Sequence, residues 1–274
     1  MTERYAIASV SSSDNSSSMS STQKLVDSLF EENWSNVIEI IRAKPRLLRN
    51  RTLTRSFMND GRTAQILPIH QACSMEFLPL DVLESLASAY PESLLKTETG
   101  LRRNCLQIAI RAGLHQDIIR FLLEKDPQAA IYQDSLGRVA LHYACIKHDT
   151  YSIDLIQELV QACPATVCAT DKMSHYTPLH LAASLCRSVD MIRLFISTSP
   201  QSVLMVSVKG LSPLDLALRT TEKSGSTSSH QREIVEILIG EEEKYRQLPL
   251  FSNFEKASQK KSNLSAVQQT SCFV

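Results

Sequence analysis

An all-α solenoid of stacked helical hairpins is the fold the sequence predicts, and three observations predict it. Segments of one spacing recur along the chain: LPIHQACS from Leu67, NCLQIAIR from Asn104, VALHYACI from Val139, TPLHLAAS from Thr177 and SPLDLALR from Ser212. Their starts lie 37, 35, 38 and 35 residues apart, a fixed period that marks a repeat array. A second pattern keeps the same beat, an acid followed by apolar residues at i+1, i+2, i+5 and i+6, as in DVLESLASAYP from Asp81. Finally, the 274 residues include only seven glycines and no sustained apolar/polar alternation of the kind a sheet needs.

Residues 1–21 are Ser-rich, with nine serines between Ser9 and Ser21, too polar to build a core and expected to be disordered. From Gln23 to Pro45 the chain reads as a helix pair without the recurring signature, the atypical terminal unit a solenoid needs as a cap. Residues 46–66 read as a connector. The signature repeats follow, giving a repeat domain over 22–247 and a flexible tail over 248–274.

Within each repeat the first helix starts as TPLH does. Thr177 is a good N-cap, Pro178 occupies the first helical position where a missing N–H costs nothing, and His180 falls at N3. From N3 a polar side chain reaches back to the cap. The repeats place His70, Gln107, His142, His180 and Asp215 there. Ionisation chemistry varies among them while hydrogen bonding persists, so the role is structural. Asn104 with Gln107, and Ser212 with Asp215, read as capping boxes. The motif alanines at 72, 109, 144, 182 and 217 let neighbouring helices approach closely. In the second helix the leading acid (Asp81, Asp117, Asp154, Asp190) suits the positive end of the helix dipole, and the proline at i+10 ends the helix.

The composition narrows the chemistry. Formal net charge is zero, so no chain-wide field points to nucleic acid or an anionic membrane. Seven cysteines with no CxxC pair do not suit a zinc ribbon or a disulfide framework. Cys73 and Cys145 share one register position and read as packing residues. No apolar run approaches the ~18 residues that cross a bilayer, and no signal peptide is expected. GxSxG, HExxH, GxxxxGK[ST] and GxGxxG do not occur. The expectation is a monomeric intracellular protein, cytoplasmic with the nucleus left open, without catalytic residues, cofactor or metal.

TPLHLAA, the Gly113 of RAGLHQDIIRFLL and DSLGRVALHYA from Asp134 resemble ankyrin repeats over about two-thirds of the chain. His175 stands where the family's turn glycine is expected. The resemblance implies a tight turn, two antiparallel helices and a loop in each unit. It also implies a concave groove, formed by turn tips and first helices, that binds other proteins. Carried over by register, that groove comprises Arg103 and Arg111; Ser135, Leu136, Arg138, Ile146 and Lys147; Met173, Ser174, Tyr176 and Ser184; and Val208, Lys209, Leu211 and Arg219. Leu136, Ile146, Tyr176 and Leu211 among basic side chains would suit an apolar anchor with an acidic rim. The implied function is a non-enzymatic adaptor binding one or more partner proteins, or alternatively a regulatory subunit that occludes a partner enzyme's site.

Other segments stand outside the repeat pattern. Arg42 to Arg55 holds six basic residues and no acid, enough to dock an acidic partner or phosphate, against the plainer reading of a solvated connector. Residues 218–232 lengthen the last repeat and offer several hydroxyls, as a flexible loop or a phosphorylation switch. SCFV at the end places Cys272 third from last, where a prenylation box needs it fourth.

Overall fold

The computed structural model describes residues 21–147, 150–185, 187–224 and 228–247. The Ser-rich segment and the tail therefore fall almost wholly outside the described residues. Among these, helices come in successive pairs: α1 (Ser21–Phe30) with α2 (Trp34–Ala43), α3 (Pro68–Ala72) with α4 (Leu80–Ala89), and α5 (Cys105–Ala112) with α6 (Gln116–Lys125). They continue with α7 (Ala140–Ile146) and α8 (Ile153–Ala162), α9 (Pro178–Ser184) and α10 (Val189–Thr198), then α11 (Pro213–Ser224) and α12 (Ser229–Arg246). The chain divides into two compact units, Met1–Pro178 and Leu179–Val274.

In the first unit the leading helices form one row, α1 on α3, α3 on α5 and α5 on α7, while α2, α4, α6 and α8 form a second. Two layers thus bury the apolar stripe of every helix against the next pair. In the second unit α12 packs on α10 and α11. All five motif alanines are completely buried. Alanine is what this spacing tolerates: an Ala144→Leu substitution in α7 should overpack the contact with α5 and destabilise by about 1–3 kcal/mol. A urea midpoint within error of the wild type would contradict that.

The recurrent prolines do two jobs. Helices α4, α6, α8 and α10 stop at residues with φ near −145°: Tyr90 (−147°), Asp126 (−144°), Cys163 (−155°) and Ser199 (−145°). Steric clash with the following proline ring drives that residue out of the helical region. The proline then starts a 3₁₀ turn, over Pro91–Ser93, Pro127–Ala130, Pro164–Cys168 and Pro200–Leu204. The cap pair repeats the device at Lys44 and Pro45–Arg49.

Two expectations need correcting. The connector is ordered: β1 (Thr52–Thr54) pairs antiparallel with β2 (Ala64–Ile66), Leu53 opposite Gln65. Three residues per strand are too few for alternation to show in the sequence. The turn between them carries Ser56, Met58 and Asn59 at positive φ (50°, 56° and 61°). The insertion of the last repeat is not one loop either, because α11 runs on to Ser224 and α12 begins at Ser229. Ser228 caps α12 by accepting from Gln231 N–H, while the Gln231 side chain accepts from Ser228 N–H. Only residues 225–227 of that stretch lie outside the description. No described helix is long and apolar enough to cross a membrane.

Candidate functional site

The N3 residues are staples between repeats. His142 accepts from its own cap, Val139 N–H, at Nδ1 (3.2 Å), and its Nε2 lies 3.0 Å from the carbonyl of Tyr176 in the following turn. An Nδ1 that accepts carries no proton, so the ring is the neutral Nε2–H tautomer donating to Tyr176. His70 repeats the arrangement with Leu67 N–H (3.2 Å) and the Lys96 carbonyl (3.0 Å). Gln107 achieves it with an amide: Oε1 accepts from Asn104 N–H, and Nε2 donates to the carbonyls of Tyr132 and Arg138. In the second unit His180 Nε2 meets the Leu211 carbonyl at 3.2 Å, and Asp215 with Ser212 forms a reciprocal capping box. Pro178 takes the first position of α9, and Thr177 before it is fully buried. Burial, opposed by the Tyr176 carbonyl, lowers the His142 pKa below the usual imidazole value.

The turns that these residues anchor project as tips. Each has a buried polar residue at its base, Glu98, Asp134, Asp171 or Ser207. Glu98 accepts from the N–H groups of Gly100, Leu101 and Arg103, Asp134 from those of Leu136 and Arg138, and Asp171 from that of Ser174. Ser207 does the same for Leu211 N–H. The residue five before Gln107, His142, His180 and Asp215 turns left-handed: Arg102 (59°), Gly137 (77°), His175 (55°) and Gly210 (68°). At Gly137 a Cβ would stand 2.9 Å from Lys172 Cγ, so glycine is needed there for space as well as for φ.

In the first unit adjacent tips are bonded to one another. Thr99 N–H donates to Gln65 O, Ser135 N–H to Leu101 O (2.7 Å) and Lys172 N–H to Leu136 O (2.8 Å). The result is a pre-ordered rail of main chain. Its acids point inward and are consumed by backbone N–H groups, so the charges left facing water are cationic, Arg102 and Lys172, with Arg138 half-buried between them. Arg138 Nε is buried without a hydrogen-bond partner.

The nominated groove residues are placed unevenly. Arg103 is a correction: its side chain is 1% exposed, with Nε 3.0 Å from Glu98, Nη1 2.6 Å from Asp60 and the guanidinium over the Phe57 ring. Asp60 and Glu98 draw Arg103 inward, and Arg102, on left-handed backbone, takes the exposed position instead. Arg111 is half-buried because the β1–β2 turn reaches it, Met58 O and Asp60 both accepting from its guanidinium. Ser135, Leu136, Arg138, Ser174 and Tyr176 are half-buried, whereas Ile146, Lys147 and Met173 are exposed. In the second unit Val208, Lys209 and Arg219 are exposed, with Ser184 and Leu211 half-buried.

Sequence reasoning missed Arg102, Lys172 and the Asp60 turn. The first two could have been found by counting back five and eight residues from Gln107 and His180. A further concavity of about 720 Å³ opens at the helix-to-helix loops of the first unit, beside the exposed Phe77. Among thiols, the hydrogen bond to Cys105 and complete burial hold Cys73 well above the ordinary thiol range, which suits packing.

Comparison with known proteins agrees with this geometry. The family model described as Ankyrin repeat matches residues 174–203. No curated protein matches the chain in sequence. Among solved structures, the ankyrin repeat domain of Bcl-3, a member of the IkappaB protein family, is similar at 17% identity. That match covers 79% of this chain and 85% of that one, with a TM-score of 0.53. A chain from the complex of Bd0816, a predatory endopeptidase from Bdellovibrio bacteriovorus, with immunity protein Bd3460 is also similar. It shares 18% identity over 63% of this chain and 80% of that one, with a TM-score of 0.49. The matched stretch contains the pair α9–α10, and the fold class is all-α, of the ankyrin-solenoid kind.

Proposed function

We propose that this ankyrin-repeat chain is a non-enzymatic protein-interaction module whose first-unit tips hold an acidic segment of a partner protein. One observation carries the reading: the tip acids Glu98, Asp134 and Asp171 are all turned inward. A surface that spends its carboxylates on its own backbone offers a partner only cations, hydroxyls and apolar side chains. Arg102, Arg138 and Lys172 supply the charge, Met173 and Tyr176 the apolar contact. Arg138 adds a half-buried guanidinium between the two exposed cations. Main-chain bonds between tips fix the rail beforehand, which lowers the ordering cost of association. Val208, Lys209, Leu211 and Arg219 form a separate candidate surface in the second unit.

The test is quantitative capture of partners by the full chain, followed by affinity measurement with the purified partner. Arg102→Glu combined with Lys172→Glu should weaken binding by about tenfold or more, while Phe77→Ala, on the other concavity, should leave it unchanged. A tip variant that keeps wild-type affinity would remove the proposal.

A further inference from the structure

The basic run Arg42 to Arg55 takes no part in the tips. Its six cations, Arg42, Lys44, Arg46, Arg49, Arg51 and Arg55, are all exposed, and none makes an ion pair among the described residues. Arg103, Arg111, Arg120, Arg193 and Arg246 each meet a carboxylate within 4 Å, whereas among the described residues these six, like Arg102 and Arg138 of the tips, do not. Arg46 and Arg49 stand three apart on the 3₁₀ turn and share a face. Arg49 lies over the Tyr90 ring and Arg51 donates to the carbonyls of Gln65 and Thr97, contacts that fix the side chains and leave their charge unneutralised.

What arrives at this surface is the chain itself. Ser21 Oγ accepts from Lys44 Nζ at 3.0 Å, and Thr22 Oγ1 accepts from Asn50 Nδ2 at 3.0 Å. Ser21, the last residue of the serine tract, thereby stands against the basic run. It holds nine serines and one acid, Asp14, so as synthesised it has almost no charge to offer. Phosphorylation changes that, because each phosphoserine carries about −1.5 to −2, and two or three of them would match the six cations. Arginine forks suit phosphate oxygens in particular. Residues 9–21 extend to roughly 40 Å at about 3.3 Å per residue, ample for a surface that starts at Ser21.

We propose that the Arg42–Arg55 surface is a docking site for phosphorylated serines of the chain's own segment 9–21. In the modification a protein kinase forms the Ser Oγ–P bond as the bridge between the γ- and β-phosphates of ATP breaks. ADP leaves with the bridging oxygen, and the hydroxyl proton passes to the kinase's base. Docking in cis works at an effective concentration of the order of millimolar, so modest ion pairing suffices. The inference is independent of the tip surface.

Fluorescence anisotropy of the full chain with a labelled peptide of residues 9–21, phosphorylated at Ser16, Ser17 and Ser18, tests it. The phosphopeptide should bind at least about tenfold more tightly than the unmodified peptide, and Arg42→Glu with Arg46→Glu should remove that difference. Thermal unfolding checks the fold, and Arg42→Gln with Arg46→Gln serves as the milder variant. Full chain carrying the three phosphoserines in cis should no longer take up the labelled peptide. Equal affinity for the two peptides, or a preference that survives both charge variants, overturns the proposal. So does binding of the unmodified chain to phosphatidylserine-rich vesicles without any phosphopeptide preference, which would assign the surface to lipid.

Discussion

Replacing Glu98 by alanine is expected to destabilise the first unit by about 3–5 kcal/mol, a large part of the 5–15 kcal/mol typical of a folded domain. Glu98 is completely buried and holds several groups at once: Leu101 N–H at 2.9 Å, Arg103 Nε at 3.0 Å, Gly100 N–H and Arg103 N–H. Without it, Arg103 stays in the interior with Asp60 as its remaining carboxylate, and the backbone donors of the tip have no acceptor. An uncompensated buried charge is costly because water cannot replace the lost partner. Pairing is not itself the source of stability, so Arg103→Met with Glu98→Gln should cost less than Glu98→Ala alone. Urea unfolding of the three proteins separates the cases. A loss below about 1 kcal/mol in Glu98→Ala would mean that the network is dispensable.

That network also marks where the sequence stopped being readable. The helix pairs were legible because stripes at i+1, i+2, i+5 and i+6 recur in phase, and the hydrogen-bonding role at N3 was legible because His, Gln and Asp share it. Arg102 and Arg103 were not distinguishable, since the choice of which faces inward is made by Asp60 in the connector and Glu98 across the turn. Nor did the sequence show that the β1–β2 turn would reach Arg111: three-residue strands leave no period to detect, and of the left-handed positions in the turn only Gly61 is a glycine, the others being Ser56, Met58 and Asn59. The left-handed tip position was half-visible, as Gly137 and Gly210 in some repeats and as Arg102 and His175 in others. Burial of the tip acids is the feature on which the functional reading turns. It depends on backbone N–H groups that any sequence would carry, so it became visible only with the turn folded.

His142→Ala is the second large effect, about 2–6 kcal/mol, because it orphans two buried main-chain groups at about 1–3 kcal/mol each. These are Val139 N–H, which loses its acceptor, and the Tyr176 carbonyl, which loses its donor. Glutamine should restore most of the loss, since Gln107 already performs both functions at the equivalent position. Histidine and glutamine differ in acid. Burial lowers the folded-state pKa of His142 below the value near 6.5 expected when unfolded. Between the two pKa values the unfolded chain therefore binds more protons than the folded one, and acid favours unfolding. The contribution is fully present above about pH 6.5 and is lost as pH falls through the folded pKa. A proton added at Nδ1 would face the Val139 N–H, donor against donor, which is the structural form of the same penalty. Measured from pH 7.5 to 5 by urea unfolding, the wild type should lose more stability than His142→Gln, so that the gap between them narrows or reverses in acid. Parallel pH profiles for the two proteins would show that the imidazole is not the titrating group.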